Sequence, residues 1–104
     1  MSQAENSFFH YAGDTFSLVA TALDAEGNLA AIVEAAFVMS QGSILIEIDP
    51  VIEESTATVS IDQASSLTMD GIYVYAFRTK DTNGGVNTEV GSIIISTVPI
   101  TEAI

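Results

Sequence analysis

An all-β antiparallel sandwich is predicted for this chain, and three observations predict it. Apolar residues recur at every second position in several stretches, as in Phe16, Leu18, Ala20 and Ala22, or Ala57, Val59 and Ile61. Clusters of Gly, Asn, Asp and Pro divide these stretches at roughly even spacing. Strand-like and helix-like stretches do not alternate as a parallel sheet would require. Together they predict about seven strands and one short helical corner in a single domain spanning residues 1–104, with the core at about 8–97 and short tails.

Phe8–Tyr11 is a short aromatic strand, stopped by Gly13-Asp14. Thr15–Leu23 alternates with the Phe16 set facing inward. Asp24-Ala-Glu-Gly-Asn28 is a turn, with Gly27 or Asn28 supplying the positive φ. From Leu29 to Phe37 the alanines favour helix, but Ile32-Val33 and Phe37-Val38 are β-formers. A bent or bulged strand reaching Ser40 is therefore expected. Gln41-Gly42-Ser43 turns the chain into the Ile44–Asp49 strand, closed by Pro50. Glu53-Glu54-Ser55 reads as a loop. Thr56–Asp62 alternates again, with Ala57, Val59 and Ile61 inward, and Asp62 can cap a helical turn over Gln63–Met69. Gly71–Lys80 and Val86–Thr97 are the last two strands. Asp81-Thr-Asn-Gly-Gly85 joins them, because Asn-Gly and Gly-Gly accept positive φ, and Gly91 marks a bulge or a close approach.

The most specific local signal is Leu67-Thr-Met-Asp-Gly-Ile-Tyr-Val-Tyr75. It places a helical corner, a tight turn at Asp70-Gly71 and two tyrosines two residues apart on the strand that re-enters the core. That order is characteristic of immunoglobulin-like sandwiches. Tyr73 is the residue expected to bend its hydroxyl back to an upstream main-chain group. Tyr75 fills the space between the sheets where antibody domains place a cysteine, and Leu67 closes the core from the corner.

Composition excludes several functions. Fourteen acidic residues against Arg78 and Lys80 give a formal charge of −12 and a pI near 4.1. Two cations cannot displace counterions from a phosphate backbone, which rules out nucleic-acid binding, and attraction to anionic membrane surfaces fails for the same reason. The hydrophobic fraction of 48% and the mean hydropathy of +0.41 are too high for a disordered polyanion. There is no cysteine, hence no disulfide framework and no thiolate metal site. The first residues lack the basic and apolar regions of a signal peptide, and no apolar run approaches the ~18 residues of a membrane helix. With Met1 at its start, the chain reads as a complete small gene product.

Residues able to carry chemistry are sparse, and neither catalysis nor a cofactor is expected. His10 is the only histidine, and a triad would need a nucleophile and an orienting carboxylate beside it. Asn83-Gly84-Gly85 joins two strands and is no phosphate loop. Calcium is a weak candidate at Asp24 and Glu26, or at Glu47 and Asp49 with Glu53 and Glu54 nearby, since it takes several carboxylate oxygens. Neither group matches the helix-loop-helix calcium pattern. The chain ends are unusually apolar: Phe8, Phe9 and Tyr11 near one, Val98, Ile100 and Ile104 near the other. Chain ends normally fray and are polar, so these six are candidate interface residues.

The order of motifs resembles the small immunoglobulin-like domain of tailed-phage virion proteins. It runs Gly13-Asp14-Thr15-Phe16, Leu23-Asp24-x-x-Gly27, Ala35-Ala-Phe-Val38, the Thr56–Ile61 strand, the Leu67 corner and Gly71-x-Tyr73-x-Tyr75. Asp81…Gly85…Thr88…Gly91-x-Ile93-x-Ile95 completes it. It is similar to the N-terminal domain of phage baseplate upper proteins and to head, neck and tail accessory domains. In that family a longer helical or receptor-binding region follows, whereas this chain stops at Ile104. The Ala-rich Leu29–Ala36 stretch and the heavy acidity also depart from the family. The resemblance implies a non-enzymatic virion protein that docks on other virion proteins and forms trimers or hexamers. The alternative is a carbohydrate-binding or cell-surface adhesion module, for which exposed aromatics beside carboxylates would be the mark.

Overall fold

The computed structural model describes residues 6–100 and 102. Eight strands, all named among these residues, run in the order β1 Asn6–Tyr11, β2 Phe16–Thr21, β3 Ile32–Gln41, β4 Ile44–Ile48, β5 Val51–Glu53, β6 Thr56–Ile61, β7 Gly71–Asp81 and β8 Val86–Ser96. One helical turn, α1 Gln63–Ser66, lies between β6 and β7. The strands form two sheets, ordered β1-β8-β7-β3-β4 and β2-β6-β5. β1 runs parallel to β8, and every other pair is antiparallel.

Alternation fills the space between the sheets. Phe37, Met39, Tyr73, Tyr75, Phe77, Ile93 and Ile95 enter it from the larger sheet, and Phe16, Leu18, Ala57, Val59 and Ile61 from the smaller. Aromatic contacts dominate its centre. The Phe37 ring stacks on Tyr75 at 5.7 Å and meets Phe77 edge-on at 5.6 Å. Each such pair contributes about 0.5–1.5 kcal/mol beyond area burial.

The doubtful Ala-rich segment is a strand. Its pairing with β7 shifts between Ile32 and Glu34, which is the irregularity that lets it bend. Two expectations are corrected. Of the expected Glu53-Glu54-Ser55 loop only Glu54 and Ser55 form the turn: Glu53 belongs to β5, Val51–Glu53, which pairs with the first half of β6, so the strands number eight rather than seven. Of the two readings of Gly91 the bulge is excluded, because the residue is buried and pairs in regular register with Tyr75 and with Asn6.

The corner forms by local hydrogen bonding. The Asp62 side chain accepts from the Ser65 N–H at 2.8 Å and caps α1. The fully buried Ser66 hydroxyl donates to the Asp14 carbonyl at 2.6 Å and accepts from the Gly13 N–H at 3.0 Å. These bonds tie the β1–β2 turn to the corner. Tyr73 behaves as the corner residue, its hydroxyl accepting from the Asp70 N–H at 3.3 Å. Leu67 does not close the core. It is half-buried against Gly13, and Met69, 3% exposed, takes the inner position. A helical segment of only four residues turns Leu67 outward before the chain reaches Met69.

Candidate functional site

The outward surfaces of the two sheets differ in chemistry. On the smaller sheet the cross-strand rows are Ser17–Ser60, Val19–Thr58–Val51 and Thr21–Thr56–Glu53. This is a hydroxyl-rich surface of the kind a solvated antiparallel sheet carries. On the larger sheet the corresponding rows are Phe9–Ile94–Ile72, then Ser7–Ser92–Val74–Ser40–Leu45, then Val90–Ala76–Val38–Glu47. Phe9 is 72% exposed, Leu45 61%, and Ile72 and Val74 58% each. Phe9, Ile94 and Ile72 stand side by side in one row with Val74 next along β7, while Ser40 separates Val74 from Leu45, so exposed apolar side chains are concentrated on this face with serines among them.

Charge is distributed to match. Arg78 and Lys80, the chain's only cations, both lie on this outward surface, in the rows Thr88–Arg78–Ala36 and Val86–Lys80–Glu34. The Arg78 Nε donates to the Thr88 hydroxyl at 2.8 Å, which holds the guanidinium along the sheet. Glu34 and Glu47 are the carboxylates in these rows, so two positive and two negative charges give the surface a formal charge of zero in a chain of −12. Glu89 and Asp81 belong to the inward side. The Tyr75 hydroxyl donates to Glu89, and Asp81 accepts from the Asn83 and Gly85 N–H groups.

The six apolar chain-end candidates separate into different places. Phe8 is half-buried and packs on its own core, 6.1 Å from the Tyr75 ring. Phe9 sits on the outward surface just described. Tyr11, Val98 and Ile100 come together with Leu67 around Gly13, lining a shallow cavity of about 260 Å³. Ile104 lies outside the described residues. Sequence reading missed the outward surface because β7 is apolar on both sides. Ile72 and Val74 alternate with Tyr73 and Tyr75, and that continuity was the available signal.

The calcium candidates do not converge. The Asp24 Oδ1 accepts from the Glu26 and Asn28 N–H groups, both at 2.9 Å, which closes its own turn. Glu47 sits on β4, paired with Val38, whereas Asp24 and Glu26 lie beside Asp81 and Asn83 of the β7–β8 turn. Among the described residues no group of three or more His, Asp or Glu side chains could hold a metal ion. His10 stacks on Phe16 with ring centroids 3.9 Å apart, which is a packing role.

No family model and no curated protein matches this chain. Solved structures do. The fibronectin(III)-like modules of Clostridium thermocellum CbhA superpose with a TM-score of 0.56 at 13% identity, over 93% of this chain and 94% of theirs. The fold is immunoglobulin-like. A putative glycoside hydrolase from Bacteroides vulgatus ATCC 8482 superposes with a TM-score of 0.52 at 13% identity, over 86% of this chain but only 16% of its own length. These likenesses establish the fold alone.

Proposed function

We propose that this chain is a non-catalytic assembly module that docks on protein through the outward surface of its five-stranded sheet, in the setting of a virion. The observation that carries the reading is the concentration of exposed apolar side chains and of both cations on that one surface. A second copy of the chain is the partner that fits. Between two −12 chains most approaches are repulsive, but this surface is formally neutral and its opposite charges can cross-pair. Strands of six, eleven, eleven, ten and five residues, at ~3.3 Å rise and ~4.8 Å spacing, cover roughly 700 Å². A stable interface takes about 800 Å² from each partner. The virion setting rests on the motif order from Gly13-Asp14-Thr15-Phe16 to Gly91-x-Ile93-x-Ile95.

Sedimentation velocity tests the docking. The native chain is expected to self-associate reversibly at about 100 μM. Ile72→Lys combined with Val74→Lys should make it monomeric while leaving the melting temperature within a few degrees, because both side chains already face solvent. A native chain that is strictly monomeric overturns the reading.

The exposed aromatics of β1 favour the carbohydrate-binding alternative. Phe9 and Tyr11 both face outward, and the Asp14 carboxylate accepts from the Tyr11 N–H. Saturable binding on a glycan array by a monomeric chain, lost in Tyr11→Ala, would establish it instead.

A further inference from the structure

The sandwich is open along one side. β5 pairs only with Thr56–Thr58 of β6, so β6 continues through Val59–Ile61 without a neighbour on that side. Opposite it lies β4, the last strand of the larger sheet. Between them is a cleft of about 570 Å³ with Met39, Ile61, Met69 and Tyr73 at its floor and Ile46 and Ile48 on its wall. Ile46 and Ile48 face inward, opposite Met39 and Phe37, yet they are only half-buried because no strand of the smaller sheet covers them.

The outer edge of β4 is unpaired among the described residues. Gln41 and Ile44 close a two-residue turn in which Gly42 has a φ of +57°. In such a turn the closing pair is hydrogen-bonded, and hydrogen bonding then alternates along the ladder. Ile44, Ile46 and Ile48 therefore bond to β3, while the N–H and C=O groups of Leu45 and Glu47 point away from the sheet. Natural edges are blunted by shortness, charged side chains (lysine above all), proline or a bulge. Ile44-Leu-Ile-Glu-Ile48 has only its five-residue length and the single charge of Glu47, with no lysine, proline or bulge.

We propose that this cleft accepts an extended segment of another protein, added as a strand along β4, with alternate apolar side chains entering beside Ile46 and Ile48 and basic residues at its ends. Such strand addition draws affinity from the main chain and specificity from the alternating pockets. The charge of the rim selects the partner. Asp62 lines the cleft, the Glu47 carboxylate stands on the outward side of the edge strand β4, and no Lys or Arg lines the cleft. This chain cannot supply the segment itself, because its two cations are both fixed in β7.

The probe is the heptapeptide KVTVTVK, with EVTVTVE and the scrambled KKVVVTT as controls. Fluorescence anisotropy should show saturable binding of KVTVTVK at about millimolar concentration or below, with both controls at least about tenfold weaker. Hydrogen exchange should show the Leu45 and Glu47 amides gaining protection in the complex. Leu45→Pro removes the outward N–H without touching the β3 ladder, and binding should fall about tenfold or more while the fold stays intact. A Leu45→Pro variant that fails to fold leaves the exchange measurement on the native chain to decide. Equal binding of the scrambled peptide, no saturation, or unprotected Leu45 and Glu47 amides overturns the proposal. So does a native dimer that Leu45→Pro abolishes, since a second copy would then occupy the edge.

Discussion

The hydroxyl of Tyr75 donates a 2.5 Å hydrogen bond to the carboxylate of Glu89 at the inner surface of the larger sheet. Tyr75 is 1% exposed and Glu89 half-buried, so the bond joins the centre of the core to the charged margin of β8. A buried tyrosine hydroxyl requires such a partner. Tyr75→Phe keeps nearly the same volume and removes the bond. We expect a loss of about 1.5–3 kcal/mol, the range for hydrogen bonds to charged groups, measured by urea unfolding. Glu89→Gln retains an acceptor and should cost less.

Gly71 is constrained twice. Its φ is +90°, and a Cβ there would lie 2.7 Å from the Gln41 Nε2. That nitrogen donates to the Asp70 carbonyl at 2.6 Å and to the Ile72 carbonyl at 3.3 Å, fastening the β3 end to the start of β7. Gly71→Ala should therefore cost about 1–3 kcal/mol. In a Gln41→Ala background the penalty should shrink without vanishing, because removing the side chain relieves the clash and leaves the backbone strain. A double-mutant cycle by thermal unfolding separates the two.

Ser66 holds the corner against the β1–β2 turn. Ser66→Ala leaves the Gly13 N–H without its acceptor and the Asp14 carbonyl without its donor. A loss of about 1–3 kcal/mol is expected, with an unchanged denaturant slope as the sign that only the native state is affected.

Asp62 gives the fold an acid-sensitive cap. Hydrogen bonds from the Ser65 backbone N–H and side chain hold its carboxyl below the ordinary value of 3.8. A lowered folded-state value means that the stabilisation is complete above 3.8 and is lost as pH falls through the folded-state value. The melting temperature of Asp62→Ala should lie below that of the native chain at neutral pH, and the gap should close as the solution is acidified below 3.8. A gap that stays constant down to about pH 2 would show that the cap does not act through charge.

The sequence by itself determined seven of the eight strands and most of the turns. Period-2 alternation assigned Phe16, Leu18, Ala57, Val59, Ile61, Tyr73, Tyr75 and Phe77 to the core, because the pleat sends alternate side chains to one side whatever the neighbours are. Asp62, Gly42 and Gly71 marked their turns through local chemistry. Tertiary structure decided whatever depends on residues distant in the chain. Glu89 became the partner of Tyr75 only through the β7–β8 register, and Met69 displaced Leu67 only through the short α1. The three residues of β5 were too few to show a period, and their brevity is what opens the cleft beside β4. In β7 both alternating sets are apolar, so the sequence could not say which would meet solvent. The smaller sheet covers Tyr73 and Tyr75 and leaves Ile72 and Val74 bare, and that covering is a property of the assembled sandwich alone.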